Sequence, residues 1–132
     1  MTGYFEPIES TECLRLLHTV DVGRIGWVAE AGMELFPVNL AADDGSLFLK
    51  VSKDSKLAEL ARGKPVVVEA DDIDPQTATG WSVVARGRAT RHERALPPTL
   101  PRPWAPGERE LLIRVDVTAV SGRAISADEP RP

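Results

Sequence analysis

Lys50, Lys53 and Lys56 stand three residues apart, with Ser52 and Ser55 between them, in the segment Lys50-Val51-Ser52-Lys53-Asp54-Ser55-Lys56-Leu57. Three ammonium groups and two hydroxyls at the start of a helix suit a phosphate monoester. A helix N-terminus adds unpaired N–H groups and the positive end of a dipole. An ordinary Lys-rich surface turn has the same composition, so the segment needs a second group of residues beside it. Pro37-Val38-Asn39 lies upstream and Gly80-Trp81-Ser82-Val83 downstream. A flat aromatic ligand needs an apolar slot and a few amide or hydroxyl partners along its polar edge. An indole such as that of Trp81 can stack on the ring or wall it. Backbone groups beside a strand proline such as Pro37 are freed from the ladder and can serve the edge. The competing roles are core filling for Trp81 and a satisfied strand amide for Asn39.

Other chemistries find no support. There is no G-x-S-x-G elbow, no Walker-type phosphate loop, no dinucleotide glycine fingerprint and no H-E-x-x-H. His18 and His92 read as surface or capping residues. Cys13, the one cysteine, falls on an apolar helix face and reads as core; it excludes an intrachain disulfide and, with two scattered histidines, a structural zinc site. The acids Asp71-Asp72-Ile73-Asp74 before Pro75 read as a solvated turn rather than a cation site. The net charge of −4 over 132 residues carries no basic block, which argues against nucleic acid. No apolar run is long enough to span a bilayer, and residues 1–7 lack the pattern of a secretory signal. A reducing cytoplasm is therefore expected.

The elements that would position these residues are mostly strands. A short helix is expected over Ser10 to His18, with Ser10 as N-cap and Cys13, Leu14 and Leu17 on one face. Strands are expected at Arg24–Val28, Met33–Leu40, Ser46–Val51, Val66–Asp71, Trp81–Thr90 and Leu111–Val120. Pro37 places the second of these at an edge or a bulge. The run Val66-Val67-Val68 suggests burial on both faces. Asp43-Asp44-Gly45 signals a hairpin. A second short helix, Lys56–Arg62, is expected behind a cap at Asp54 or Ser55 and is stopped by Gly63 and Pro65. The proline-rich stretch Leu96–Gly107 reads as a surface loop. Six antiparallel strands and two short helices in one domain, residues 1–125, point to a mainly β, closed or nearly closed barrel. Residues 126–132 read as a disordered tail.

The order of these pieces resembles a known family. Val22-Gly23-Arg24-Ile25-Gly26, Phe36-Pro37-Val38-Asn39-Leu40, Leu49-Lys50-Val51 with Ser55-Lys56-Leu57, Val68-Glu69-Ala70-Asp71, Gly80-Trp81-Ser82-Val83-Val84, Gly87-Arg88-Ala89, Pro103-Trp104-Ala105-Pro106-Gly107 and Ser121-Gly122-Arg123 follow one another as in short bacterial members of the pyridoxamine 5'-phosphate oxidase-like family. The resemblance covers about Thr11 to Ile125. It implies a six-stranded split β-barrel, a homodimer, and two flavin sites at the subunit interface, holding FMN or, in some relatives, F420. It further implies that the phosphate lies against Leu49, Lys50, Val51, Ser52, Ser55, Lys56 and Leu57. Pro37, Val38 and Asn39 would face the ring and ribityl chain, and Trp81 and Ser82 would approach from the partner. The chain departs from the family pattern at Lys50 for arginine, which loses the bidentate fork, at Val51 for threonine, and at Asp54 for glycine. It lacks the Arg-x-His segment of the authentic vitamin B6 oxidase, so pyridoxal phosphate synthesis is not expected. The resemblance implies a flavin-dependent oxidoreductase acting on a small-molecule redox substrate. The alternative is a non-catalytic split-barrel dimer that binds a cofactor or small ligand.

Overall fold

The computed structural model describes residues 4–126. Eight strands form one antiparallel sheet: β1 (Tyr4–Ile8), β2 (Val22–Ala29), β3 (Gly32–Asn39), β4 (Ala41–Asp43), β5 (Ser46–Ser52), β6 (Lys64–Asp74), β7 (Thr79–Arg91) and β8 (Glu110–Ser126). Their order is β3-β2-β6-β7-β8-β5-β4, with β1 paired to β8. The six expected strands are all present; five are longer than their sequence signals, the strand expected at Met33–Leu40 is shifted one residue to Gly32–Asn39, and β1 and β4 are additions. Helix α1 (Ser10–Leu17) and a 3-10 helix (Lys56–Arg62) flank the sheet. Ser10 is the first helical residue rather than the cap; Glu9 holds the cap position and makes no side-chain cap bond. Of the expected C-terminal tail, Ser126 is the last residue of β8 and pairs with Tyr4, and residues 127–132 lie outside the described residues.

Alternation along the strands builds the core. Ile25 and Trp27 of β2, Val38 of β3, Leu47, Leu49 and Val51 of β5, Val66, Val68 and Ala70 of β6, Val83, Ala85 and Ala89 of β7 and Ile113 and Val115 of β8 all point inward. Cys13, Leu16 and Leu17 of α1 join them, and Leu60 of the 3-10 helix enters with no exposed surface. Each fully buried Val, Leu or Ile among them contributes about 1.5–3 kcal/mol. The expected two-sided burial of Val66-Val67-Val68 is not found: Val67 is only half-buried and lines a groove on the outer face. Likewise Asp71 to Asp74 complete β6 instead of forming a turn, which follows at residues 75–78.

Three local devices set the shape. Asp44 (φ 42°) and Gly45 (φ 80°) both adopt left-handed conformations between β4 and β5, the two-residue hairpin geometry. Pro37 lies on β3, an edge of the sheet, opposite Arg24. In β8 the register against β7 shifts so that Arg86 faces Ala119 and Gly87 faces Val117. The extra residue, Thr118, donates its hydroxyl to the Arg86 carbonyl at 3.2 Å. At this bulge a Cβ on Gly87 would sit 2.1 Å from the Asp116 carbonyl oxygen, so only glycine fits.

Side chains tie the 3-10 helix to the sheet. The 3-10 helix reaches edge strand β3 through Lys56 Nζ donating to Glu34 Oε1 at 2.7 Å, and reaches β2 through the Trp27 indole N–H donating to Glu59. Trp27 stacks on Phe36 at 5.6 Å between centroids. A smaller cluster, Phe48, Leu100 and Leu112 with Leu96 and Trp104, glues the proline-rich loop onto the outer face of β5 and β8.

Candidate functional site

Parity along β5 decides which predicted residues can meet a ligand. Leu49 and Val51 point into the core and are almost fully buried, so they can offer a ligand only backbone groups. Val38 is buried with them. Lys50 and Ser52 take the other face, and on β3 Pro37 and Asn39 point outward. Asn39 and Lys50 then line one cavity of about 330 Å³ together with Asp21, Leu40, Pro103 and Trp104. The amide of Asn39 supplies a donor and an acceptor, Lys50 a cation, and Trp104 an aromatic wall.

The phosphate segment is more self-contained than its sequence implies. Lys50 Nζ donates to the Pro103 carbonyl at 2.5 Å and lies 4.0 Å from the Glu110 carboxylate. Lys56 is taken by Glu34, whose hydrogen bond and charge raise the Lys56 pKa from its ordinary value. The turn uses its own amides. Lys53 N–H donates to Arg109 O at 2.9 Å, Asp54 N–H to Ser52 Oγ at 3.2 Å, Ser55 N–H to Ser52 O at 3.1 Å and Ala58 N–H to Ser55 O at 3.1 Å. Ser55 holds the cap position without a side-chain cap bond, its hydroxyl donating to Ser52 O at 3.0 Å instead. Asp54 likewise makes no side-chain cap. Of the N–H groups before and at the helix start, those of Asp54, Ser55 and Ala58 are thus spent inside the turn and that of Lys53 on Arg109. Leu57 packs against the core.

Trp81 and Ser82 lie elsewhere in the chain. Trp81 is half-buried against the core, opposite Asp72 on β6 and Ala124 on β8. Ser82 lines a separate cavity of about 530 Å³ with Pro7, Val84, Ser121, Gly122 and Arg123. One chain does not bring either to Asn39 and Lys50. Conversely, Asp21 and Trp104 belong to the cavity and escaped the reading of site residues. Trp104 carried a signal, since it sits in the Pro103–Gly107 motif, but nothing local tied that loop to Lys50. Among the described residues no cluster of three or more His, Cys, Asp or Glu could hold a metal ion. No described helix is long and apolar enough to cross a membrane.

This order of motifs has a counterpart. The family described as Pyridoxamine 5'-phosphate oxidase matches residues 9–124. The chain belongs to this family. As a member of the pyridoxamine 5'-phosphate oxidase family it is 32% identical to the uncharacterized protein Rv0080 of Mycobacterium tuberculosis over 139 residues, covering 95% of this chain and 88% of that one. Among solved structures, the FAD binding protein of Mycobacterium smegmatis is similar at 28% identity and TM-score 0.74, covering 92% of this chain and 98% of the other. An FAD-binding protein of Mesorhizobium loti superposes at TM-score 0.79 with 21% identity, over 95% and 99% of the two chains, and at that identity speaks for the fold alone. The mainly β barrel read from the residues, and the split form that the resemblance implied, are thus the fold of this family member, built with eight strands instead of six.

Proposed function

We propose that this family member is a flavin-binding protein whose cofactor ring enters the cavity between the end of β3, β5 and the proline-rich loop. One observation carries the reading. Asn39 and Lys50, assigned to the flavin by motif resemblance and 11 positions apart in sequence, line a single cavity with an indole. The cavity, about 330 Å³ in one chain, is of the size of ligand sites in general. The relative at 28% identity over nearly its whole length is an FAD binding protein, which sets FAD beside FMN and F420 as candidate cofactors.

When bound, a flavin supplies hydride or single-electron transfer, and the protein supplies binding, orientation and exclusion of water. Asn39 offers its amide to the polar edge of the ring. Pro37 leaves backbone free beside it. Val38, Leu49, Val51 and Leu57 form the apolar backing from within the barrel. Ser52 offers its hydroxyl proton to the phosphate, Ser55 does so only by giving up its bond to Ser52 O, and the Lys53 ammonium has no partner among the described residues. Trp81 and Ser82, remote within one chain, are the contribution of a second copy. A homodimer is therefore part of the proposal, as are a small-molecule redox substrate and a cytoplasmic setting.

A second reading is a non-catalytic dimer that holds a cofactor or small ligand. Its support is the internal engagement of both Lys50 and Lys56, which weakens the grip on a phosphate. The test is an absorbance spectrum of freshly purified protein, mass spectrometry of any released chromophore, and thermal shift with FAD, FMN and F420. Flavin absorbance or stabilisation by one of the three is expected. Colourless protein with no shift from any of them would sink the flavin reading. Turnover with NAD(P)H or reduced F420 separates the oxidoreductase from the passive binder.

A further inference from the structure

We infer that Trp104 is the aromatic wall of the flavin cavity and that Lys50 is the latch holding it there, a positioning residue rather than a phosphate ligand. The first half rests on the flavin reading above; the second stands on the fold alone.

The loop between β7 and β8 is fastened at both ends. Upstream, Thr99 donates its hydroxyl to Asp43 at 2.7 Å, and Leu100 is buried against Phe48 and Leu112. Downstream, Gly107 N–H donates to Glu110 Oε1 at 3.0 Å, and Arg109 O accepts from Lys53 N–H at 2.9 Å. Between these anchors the chain makes a single 3-10 turn, Arg102–Trp104, closed by Trp104 N–H donating to Pro101 O and Ala105 N–H to Arg102 O, both at 2.9 Å. The Pro103 carbonyl takes no part in these two bonds and is open to a donor from another element. Lys50 supplies it, reaching from β5 to Pro103 O at 2.5 Å. Its charge is balanced by Glu110 at 4.0 Å, the residue that also ties Gly107.

The consequence is geometric. Pro103 and Trp104 both line the cavity that Asn39 and Lys50 line from the sheet side. The indole is half-buried, packed at its base on the Phe48 cluster. It is the one aromatic side chain lining that cavity, and a planar heteroaromatic ring entering beside Asn39 meets it. A lysine whose ammonium already serves a carbonyl and a carboxylate is poorly placed to serve a phosphate as well. It is well placed to keep the indole from swinging away. This also accounts for lysine where the family resemblance expects arginine: a carbonyl needs a single donor, not a bidentate fork.

The test combines apo-protein hydrogen exchange with flavin titration of Lys50→Met, Lys50→Arg, Trp104→Ala and Trp104→Phe, each checked for a native melt. In the absence of any flavin, Lys50→Met is expected to speed amide exchange over residues 101–107 by tenfold or more, with Lys50→Arg close to wild type. Unchanged exchange in Lys50→Met overturns the latch. With FAD or FMN, Trp104→Ala is expected to weaken affinity roughly tenfold and to relieve quenching of flavin fluorescence, while Trp104→Phe restores most of both. Equal affinity and equal quenching in Trp104→Ala overturn the wall. A wild-type protein that binds neither flavin defeats the flavin reading and the role of Trp104 with it, while the exchange result decides the latch by itself.

Discussion

Arg24, Glu69 and Asp71 show how one outward-facing cluster sets a pH response. Arg24 Nη1 lies 2.9 Å from Glu69 and 3.2 Å from Asp71. Burial raises the Glu69 pKa first, the hydrogen bond and charge of Asp71 raise it further, and Arg24 opposes both. A carboxyl with a higher pKa folded than unfolded binds its proton more tightly in the fold. The native state therefore loses stability as pH climbs from the ordinary value of 4.5 through the raised one. Glu69→Gln keeps an acceptor for Arg24 and removes the charge. Thermal melts should show the variant gaining on wild type at pH 7, with the gain vanishing below pH 4.5; no difference between the two pH values would contradict this account. Residue identity made part of the candidate site legible. Asn39 and Lys50, which the fold brings to one cavity, are legible as candidates because amide and ammonium groups announce their chemistry. Leu49 and Val51 were placed at the ligand by motif position, whereas strand parity turns their side chains into the core. The partners that occupy Lys50 and Lys56, a carbonyl 53 residues away and a carboxylate 22 residues away, are invisible to any local pattern.

Elements were legible where propensity and burial agree. Valine-rich β6 and the core halves of β7 and β8 announced themselves. Tyr4-Phe5-Glu6-Pro7-Ile8 did not, because a proline sits in it and it becomes a strand only by pairing with the far end of β8. The second half of β8, Ser121–Ser126, has little strand preference of its own and is held by ladders on both sides, from β1 and β7. Ala41-Ala42-Asp43 is strand by virtue of its hairpin turn. The bulge at Thr118 is likewise written in a glycine on the neighbouring strand. Gly87→Ala would press a methyl against the Asp116 carbonyl, a backbone atom that cannot rotate aside. Denaturant melts should show a loss of about 1–3 kcal/mol. A variant as stable as wild type would mean that the bulge can relax.

At the scale of the whole molecule, one face is unlike the rest. Val28, Met33 and Leu35 are 68%, 84% and 69% exposed on the outer side of β2 and β3. Val28, Met33 and Leu35 line a groove of about 710 Å³ that continues over β6 to Arg86 and Thr118. A stripe of this kind is costly to leave in water, and a two-fold pair would cover it. Light scattering of the purified protein should report a dimer at micromolar concentration, and Leu35→Lys should shift it toward monomer. A wild-type monomer would remove both the pair and the proposed delivery of Trp81 and Ser82 to a neighbour's cavity.

The seventeen residues of β8 carry a temporal meaning as well as a spatial one. Of all the described strands, it is made last, yet β1, β5 and β7 each pair with it. Before Glu110 is made, β1 has no ladder and the β4–β5 hairpin has nothing to join, so the largest sheet open to the nascent chain is the four-stranded β3-β2-β6-β7. The barrel can thus close only once β8 has been made, and until then the inner faces of those strands stay open to whatever the cell offers them.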